Sequence, residues 1–266
     1  MTGLFQPDRD ALLDLLAELA PADWECPTAC AAWSVKDVAL HVLGGDLGNI
    51  AIRRDGVRAL SPRPEESLAG FLNRINAEWV EAARRLSPRL LVEMLADAGP
   101  RLFSLLESLD LEAIGEPVSW AGPAPAPVWL DVAREYTERW VHQQQIRDAV
   151  GRPGQRAAPF FGPVVATFMH ALPPALIGAD APEGASVAVQ VEGEAGGDWA
   201  VSRQRSGWAL RVGRPTAPLA TVRMTAETAW RLFTLGLTEV ETKSRLRVAG
   251  DAGLAERVSR AVAIIA

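Results

Sequence analysis

The sequence has few lysines and no excess of basic residues, and this shortage narrows the classes of partner. Lys36 and Lys243 are its only lysines, and 27 basic residues face 33 acidic ones, which gives a net charge of -6 and a pI near 5.2. A protein that binds nucleic acid needs a basic face to displace phosphate counterions. We therefore expect no nucleic-acid partner.

Long apolar runs and paired cysteines are also missing. No stretch approaches the roughly 18 uninterrupted apolar residues that span a bilayer. The opening MTGLFQPDRD lacks the basic and then apolar order of a secretory signal. Cys26 and Cys30 are too few for a disulfide framework. We expect a cytoplasmic protein without a membrane partner, in which both thiols are reduced and half-buried in a loop; the sequence indicates no oligomeric state.

What the sequence does contain is a helical first half. Hydrophobic residues make up 48% of the 266 positions, enough for a sizeable core. Ser34 precedes V-K-D, the pattern of a helix start with a capping box, and the prolines of GPAPAP at 122–127 exclude a helix there. Apolar periodicity predicts helices over Asp8–Ala20, Val35–Arg54, Ser67–Leu86, Pro88–Leu109 and Val128–Val150.

The second half has the pattern of a mixed α+β region. The segments SVAVQVEG, WAVSRQ, WALRVG and ATVRMT are separated by glycine-rich turns and predict an antiparallel meander. A helix over Ala226–Leu237, a strand in RLRVAG from Arg245, and a terminal helix over Asp251–Ile265 follow. We therefore predict two domains, a helical one over residues 1–155 and an α+β one over residues 156–266.

Two of the three histidines stand in predicted helices beside features that suit a metal site. Small residues, Gly45 and Gly48, follow His41 on its helix face and leave space beside the imidazole. Glu138 and His142 are one turn apart, so their side chains can converge on one ion. Two other interpretations stay open, because a Glu-x-x-x-His pair is commonly only a surface ion pair, and a lone helical histidine is commonly a hydrogen-bonded core residue. The third histidine, His170, has no carboxylate or thiol nearby in the sequence and is expected to be structural.

The motif W-x-x-P-T-x-C-x-x-W-S-V-x-D-V-x-x-H, residues 24–41, resembles the mycothiol-dependent maleylpyruvate isomerase family of the DinB-like superfamily. In that family a histidine of the second helix and a Glu-x-x-x-His pair hold a divalent metal, usually zinc, and the matching positions are His41, Glu138 and His142. The resemblance implies an N-terminal DinB-like four-helix bundle. It also implies a C-terminal α+β domain similar to sterol-carrier folds, because the RLRVAGDAGL segment at 245–254 resembles the end of such a domain.

The resemblance has one departure and one unmatched residue. An aspartate often follows the second metal histidine of the isomerases by three positions, where this chain has Gln145, and a neutral amide cannot act as a base. The family also uses an arginine of its C-terminal domain to hold substrate carboxylates. Arg245 and Arg247 are the candidates here, because they share one face of the predicted strand and could reach a cleft between the domains, although exposed strand arginines are commonly not catalytic.

These features together predict an enzyme that uses a divalent metal to activate a low-molecular-weight thiol of the mycothiol type. Zinc is the metal that we favour. The thiolate would attack a small electrophile, in an isomerase or an S-transferase reaction. Asn76 and Trp79 of the third predicted helix are candidate pocket-lining residues, although such residues more commonly contact solvent and core. Two alternatives stay open. One is a non-catalytic carrier of a small ligand, in which the metal only stabilises the bundle, and the other is an interaction module that binds no metal.

Overall fold

The computed structural model describes residues 1–58 and 60–263. Helices occupy the first half of the chain and a sheet with helices occupies the second half, which confirms the predicted fold class. Among the described residues, no helix combines the length and the apolar composition that crossing a membrane requires. The last two residues of the predicted terminal helix, Ile264 and Ile265, lie outside the described part.

The chain divides into two compact units. The first comprises Met1–Leu111 and Glu138–Gln155, and the second comprises Glu112–Thr137 and the described residues from Arg156 onward. Helix α5 (Val128–Ala149) contributes its N-terminal part to the second unit and its C-terminal part to the first. The domain boundary between residues 155 and 156 stays a prediction.

The first unit is a bundle of helices around one apolar core. The second helix packs against the third and the fourth, and the first packs against the fourth. Buried side chains of all these helices, together with Trp24 and with Ile146 of α5, form a continuous cluster. The helices are α1 (Phe5–Ala17), α2 (Val35–Arg53), α3 (Leu68–Ala83) and α4 (Pro88–Glu107), with short 3-10 helices at Thr2–Leu4 and Asp23–Glu25.

Helix α2 begins where its sequence predicts. The backbone N–H of Asp37 donates to the Ser34 hydroxyl oxygen at 3.3 Å, and the Asp37 carboxylate accepts from the Ser34 N–H at 3.1 Å. This capping box satisfies two of the amides that a helix start leaves without partners. It fixes the first turn of α2, and His41 lies in the turn that follows.

The second unit contains a five-stranded sheet in the order β3-β2-β1-β4-β5. Helix α8 packs on β1 and β4, α10 packs on β4, and α6 packs on α8. The strands are β1 (Ser186–Glu192), β2 (Gly197–Gln204), β3 (Gly207–Val212), β4 (Ala220–Thr225) and β5 (Arg247–Gly250). The helices are α6 (Ala158–Phe168), α7 (Leu172–Ala175), α8 (Ala226–Phe233), α9 (Glu239–Arg245) and α10 (Ala252–Ser259), with a 3-10 turn at Met169–Ala171.

The predicted antiparallel meander is wrong at its fourth strand. Strands β1, β2 and β3 pair antiparallel in sequence, but β4 returns to the free edge of β1 and pairs with it in parallel. The reason lies in β1, where Val187, Ala188 and Val189 are all buried, so that both faces of this strand are covered. A strand buried in this way belongs in the centre of a sheet, whereas a meander of these strands leaves it at an edge.

The helix predicted to reach Leu237 ends earlier, at Phe233. Leu235 adopts a left-handed φ of +58°, and the N–H of Gly236 donates to the carbonyl of Arg231 at 2.7 Å. This is the geometry of a Schellman helix end, which usually places glycine where Leu235 stands. The stretch that follows forms α9, whose last residue is Arg245. The strand predicted from Arg245 is therefore present but begins two residues later, because β5 starts at Arg247.

A buried ion-pair network joins the helices of the first unit. Asp46 of α2 is fully buried and accepts from Arg9 of α1 at 2.6 Å and from Arg139 of α5 at 2.8 Å. Arg9 also donates to the carbonyl of Leu95 in α4 at 2.7 Å. A Cβ at Gly99 of α4 would lie 2.9 Å from the Arg9 guanidinium, so the absence of a side chain there admits the arginine. Helices α1, α2 and α5 therefore meet at the Asp46 carboxylate, and Arg9 also links them to α4.

Asp8 lies beside this network in a different state. Within the part of the chain that the structure describes, its Oδ1 atom is buried without a hydrogen-bond partner. Burial raises the pKa of the Asp8 carboxyl to about 7, although Arg9, Arg147 and Arg139 act in the opposite direction. The folded bundle therefore favours the protonated form of this group.

We predict that Asp46→Asn destabilises the protein. The amide keeps the shape of the carboxylate but removes the negative charge that both buried guanidinium groups contact, so the free energy of unfolding should fall by about 3 kcal/mol or more. Urea denaturation of variant and parent measures the change. Asp55→Asn is the control, because Asp55 is exposed and forms an ion pair with Arg54, which is also exposed, so this variant should have a stability near that of the parent. Equal stability of Asp46→Asn and the parent would contradict the prediction.

We predict that Asp8→Asn changes how stability depends on pH. The folded pKa of Asp8 lies above the value of 3.8 for a free carboxyl, so its stabilising contribution is complete below that value and is lost as pH rises towards 7. An asparagine cannot ionise, so between pH 5 and pH 8 the stability of the variant should rise relative to the parent by about 2 kcal/mol. Urea denaturation at several pH values tests this, with exposed Asp14→Asn as control. A variant-to-parent difference that is constant with pH would refute it.

Candidate metal centre

His41 lies in α2 beside open space. Two glycines follow it on the same helix face, and a Cβ atom added at Gly45 or Gly48 would meet no atom within 4 Å. The preceding glycine, Gly44, is different, because the indole of Trp79 packs directly against it. The sequence-based expectation of free space beside the His41 imidazole therefore agrees with the structure on the face that carries Gly45 and Gly48.

The structure brings His41, Glu138 and His142 together. Glu138 Oε1 lies 3.2 Å from Nε2 of His142 and 3.6 Å from Nε2 of His41. The two imidazole rings meet edge to face with centroids 4.6 Å apart. Each residue offers one potential ligand atom, and these atoms all lie within 4.8 Å of one another. We call these three residues the His-Glu-His cluster.

The cluster has an unequal charge distribution. Burial alone would raise the pKa of Glu138, but hydrogen bonds and charges from His142 and His41 outweigh it and hold that pKa well below its usual range. Burial lowers the pKa of His41, and the neighbouring charges of His142 and Arg139 add to that effect against the bond from Glu138. The pKa of His142 is raised to about 10, because contacts with Cys30 and Glu138 outweigh burial. Without a metal the cluster therefore pairs an ionised carboxylate with a protonated His142 and a neutral His41.

Gln145 lies on the far side of His142. Its Oε1 atom is 2.7 Å from Nδ1 of His142, so the amide oxygen accepts a hydrogen bond from the Nδ1–H group. That bond leaves the opposite ring atom, Nε2, to face Glu138. A metal-binding histidine commonly donates its second N–H to such an acceptor, so this arrangement fits a ligand role for His142.

Trp33 is a neighbour of the cluster that the sequence analysis did not single out. Its ring lies 4.9 Å from the ring of His41, and it immediately precedes the capping residue of α2. The signal was available, because Trp33 belongs to the motif that ends at His41. Cys26 and Cys30 in the same loop are both half-buried and unbridged, as predicted.

Asp46 and Arg139 fix the helices that carry the cluster, and neither was predicted from the sequence. Arg139 directly follows Glu138, and Asp46 lies five residues after His41. Their signal was a charged residue at a helix position flanked by apolar ones, as for Asp46 between Leu43 and Ile50. Such a position predicts a buried ion pair only when its partner is known, and the partner lies 93 residues away.

Asn76 and Trp79 are both half-buried on α3. The indole N–H of Trp79 donates to the carbonyl of Leu40 at 2.8 Å, and its ring covers Gly44. These contacts join α3 to α2 in the turn that carries His41. They give Trp79 a packing role, and a role of either residue in substrate binding stays a prediction.

Arg245 and Arg247 both belong to the second unit but not to one strand. Arg245 ends α9 and pairs with Glu241 at 3.2 Å, one helical turn before it. Arg247 begins β5 and lies 3.7 Å from Glu192 of β1. The shared strand face that made them a pair of candidates is therefore wrong, and a role in holding substrate carboxylates stays a prediction for each.

Comparison with known proteins identifies the family. A family model described as the mycothiol maleylpyruvate isomerase N-terminal domain matches residues 5–147. Two crystal structures of the mycothiol-dependent maleylpyruvate isomerase, one of them of a point mutant, have TM-scores of 0.52 and identities of 12% and 11%, and cover 87% of this chain and 86% of their own. At this identity the likeness shows the fold alone.

The match to a crystal structure of Sterol Carrier Protein 2 Like 2 from Aedes aegypti covers 36% of this chain and 93% of that one at 17% identity. Its TM-score of 0.29 is too low to support a conclusion about the fold. No curated protein matches the sequence. The family model covers more than half of the chain and includes all three residues of the His-Glu-His cluster. The chain therefore belongs to the mycothiol maleylpyruvate isomerase family, as its helical motifs predicted.

Proposed function

We propose that this protein is a metal-dependent enzyme that activates a low-molecular-weight thiol of the mycothiol type for addition to a small electrophile. The observation that supports the proposal is the convergence of His41, Glu138 and His142, whose potential ligand atoms lie within 4.8 Å of one another. Two elements far apart in the sequence supply these groups. A chance surface pair on one helix does not require the third residue from another.

The residues of the cluster fit a divalent metal ion, and their ligand types favour zinc. Two imidazole nitrogens and one carboxylate oxygen form a ligand set that zinc accepts, and three protein ligands leave a position open for a further molecule. Gly45 and Gly48 leave space on the His41 face. When bound there, the ion would supply the positive charge that stabilises the thiolate form of a thiol at neutral pH.

Each residue of the cluster has a distinct task in this proposal. Glu138 supplies the negative charge, and its low pKa keeps it ionised near neutral pH. His41 is neutral because its pKa is lowered, and a neutral imidazole is the form that binds a metal. His142 gives up the proton that it shares with Glu138, while its bond to Gln145 keeps the ring oriented.

The reaction follows from thiolate chemistry. The sulfur electron pair forms a C–S bond to a conjugated carbon, and the double-bond pair moves to the adjoining carbonyl oxygen. In an isomerase the resulting single bond rotates, and the returning electron pair expels the thiolate. In an S-transferase the C–S bond is kept, the enolate takes up a proton from solvent in place of the one that the thiol lost, and the adduct leaves. Gln145 cannot act as a base, so both reactions stay open and we name the substrate only as a small conjugated electrophile.

We also propose residues that would bind the substrate and a location for the protein. Arg245 and Arg247 are candidates for holding a substrate carboxylate, and Asn76 is a candidate for lining the pocket. A reduced thiol cosubstrate and two unbridged cysteines suit a cytoplasmic location. A carrier with a closed metal site is the second candidate function, and a fourth protein ligand would favour it. In the described residues the cluster offers three, which favours the enzyme.

We predict that His41→Ala and Glu138→Ala lose the metal. The parent should bind about one zinc ion per chain, and each variant should bind it at least 100-fold more weakly, because a ligand has been removed. Chelator competition measures the affinity and elemental analysis measures the content. His170→Ala is the matched control, because His170 is half-buried and contacts Trp129 outside the cluster. Variants with the metal content and affinity of the parent would refute the ligand assignment.

We predict that the loaded protein binds the thiol at its metal. Adding mycothiol to cobalt-substituted protein should produce a sulfur-to-metal charge-transfer band, because three protein ligands leave a position for the sulfur. The methylated thioether of mycothiol, which cannot form a thiolate, is the control and should produce no such band. An unchanged spectrum with mycothiol would contradict thiol activation and favour the carrier, even if the metal binds.

A further inference from the structure

Cys30 lies in a tightly held turn before α2. The N–H of Cys30 donates to the Thr28 hydroxyl at 3.2 Å, and that hydroxyl donates to the carbonyl of Trp33 at 2.8 Å. The carbonyl of Cys30 accepts from the N–H of Trp33 at 2.8 Å. The turn therefore holds the backbone of Cys30 in place.

The Cys30 thiol points to the amide of Gln145. Its sulfur lies 3.3 Å from Oε1 of Gln145, and the same oxygen lies 2.7 Å from Nδ1 of His142. One amide oxygen thus accepts from two donors, an S–H group of the loop and an N–H group of the helix. The contacts run in series from the loop through α5 to one residue of the His-Glu-His cluster.

We propose that Cys30 and Gln145 are positioning residues that hold His142 with its hydrogen on Nδ1 and its Nε2 atom towards Glu138. A metal binds the nitrogen that carries no hydrogen, so this orientation prepares Nε2 as the ligand atom. The metal role of His142 rests on the proposed function. The hydrogen bonds to Gln145 do not, because they join side chains of the protein itself.

The alternative orientation of the amide explains why the thiol matters. A glutamine amide turned by 180° has nearly the same shape but presents its NH₂ group instead of its oxygen. That group would donate to Nδ1 and force the hydrogen of a neutral His142 onto Nε2, where it blocks a ligand. The S–H group of Cys30 donates to the oxygen at this place, beside the Nδ1–H group of His142. Cys30 therefore adds a second donor that favours the amide orientation that the metal site requires.

The neutral amide has a second consequence. A carboxylate at this position would also accept from Nδ1–H, but its charge would make the imidazole a more basic ligand. With Gln145 the imidazole donates less electron density, so a bound ion keeps more of its positive charge. We expect the Gln145→Glu variant to bind zinc more tightly than the parent and to acidify a bound thiol less.

The test has two readouts on the full chain. Proton NMR of metal-free protein follows the Nδ1–H signal of His142, whose hydrogen bond should protect it from exchange, and chelator competition gives the zinc affinity. Gln145→Leu should lose the protected signal and bind zinc 10- to 100-fold more weakly. Gln145→Glu should keep the signal. A Gln145→Leu protein that keeps both the signal and the affinity would overturn the proposal.

The cysteine variants test the thiol separately. Cys30→Ala should speed exchange of the Nδ1–H signal and weaken zinc binding several-fold, and Cys30→Ser should restore most of both, because a hydroxyl can donate in the same place. Cys26→Ala is the matched control, since Cys26 belongs to the same loop but its sulfur lies 3.8 Å from the carbonyl of Ala22. If Cys30→Ala behaves as Cys26→Ala does, the role of Cys30 is wrong.

Failure of the proposed function gives a different result. If the parent binds no zinc, but Gln145→Leu and Cys30→Ala still change the Nδ1–H signal, the metal assignment is wrong and the positioning of His142 is supported. Thermal unfolding of each variant shows whether it is folded. If Cys30→Ala is unfolded, Cys30→Ser and Gln145→Leu are compared instead. The proposal requires that Cys30→Ser keeps the Nδ1–H signal and that Gln145→Leu loses it.

Discussion

The geometry of the His-Glu-His cluster depends on the carboxylate of Asp46, which holds α2 in register with α5. Asp46 accepts from Arg9 and Arg139 in a site that is closed to water, and Arg139 adjoins Glu138 in the chain. Sliding either helix by one turn, about 5.4 Å, would separate the charges in a medium where separation is costly. The pairing therefore keeps His41 opposite the Glu138–His142 pair.

A buried ion pair contributes register more reliably than net stability. Removing charges from water costs several kcal/mol per ion, and the attraction between them returns about that amount. An apolar triad of the same volume would be at least as stable, but it would tolerate small shifts between the helices that a cluster of ligand atoms cannot. The positive charge of Arg139 also contributes to the lowered pKa of His41, after burial and together with His142. The network therefore affects both the position and the protonation of the centre.

Local signals in the sequence predicted most helices and strands, but they did not predict the pairings between residues far apart in the chain. Ser34 and Pro88 marked helix starts that the structure places at the same residues, and Glu-x-x-x-His predicted a convergence that one helical turn produces by itself. The parallel pairing of β1 with β4 and the contact of Asp46 with Arg139 join distant residues, and no periodicity encodes them. Gly45 and Gly48 marked His41 as a histidine with space beside it, and the family resemblance then linked it to the Glu138–His142 pair, which spacing alone could not do.

Gln145 and the loop before α2 together orient His142. The family resemblance implies an aspartate at position 145, and the glutamine of this chain offers a hydrogen-bond acceptor without that charge. An amide has two unlike ends, so a neutral acceptor needs a further contact to select the oxygen, which a carboxylate does not need. The Cys30 thiol at 3.3 Å supplies that contact. Gln145 and Cys30 therefore act together on the orientation of His142, and the neutral amide leaves the imidazole a weaker electron donor than a carboxylate at this position would.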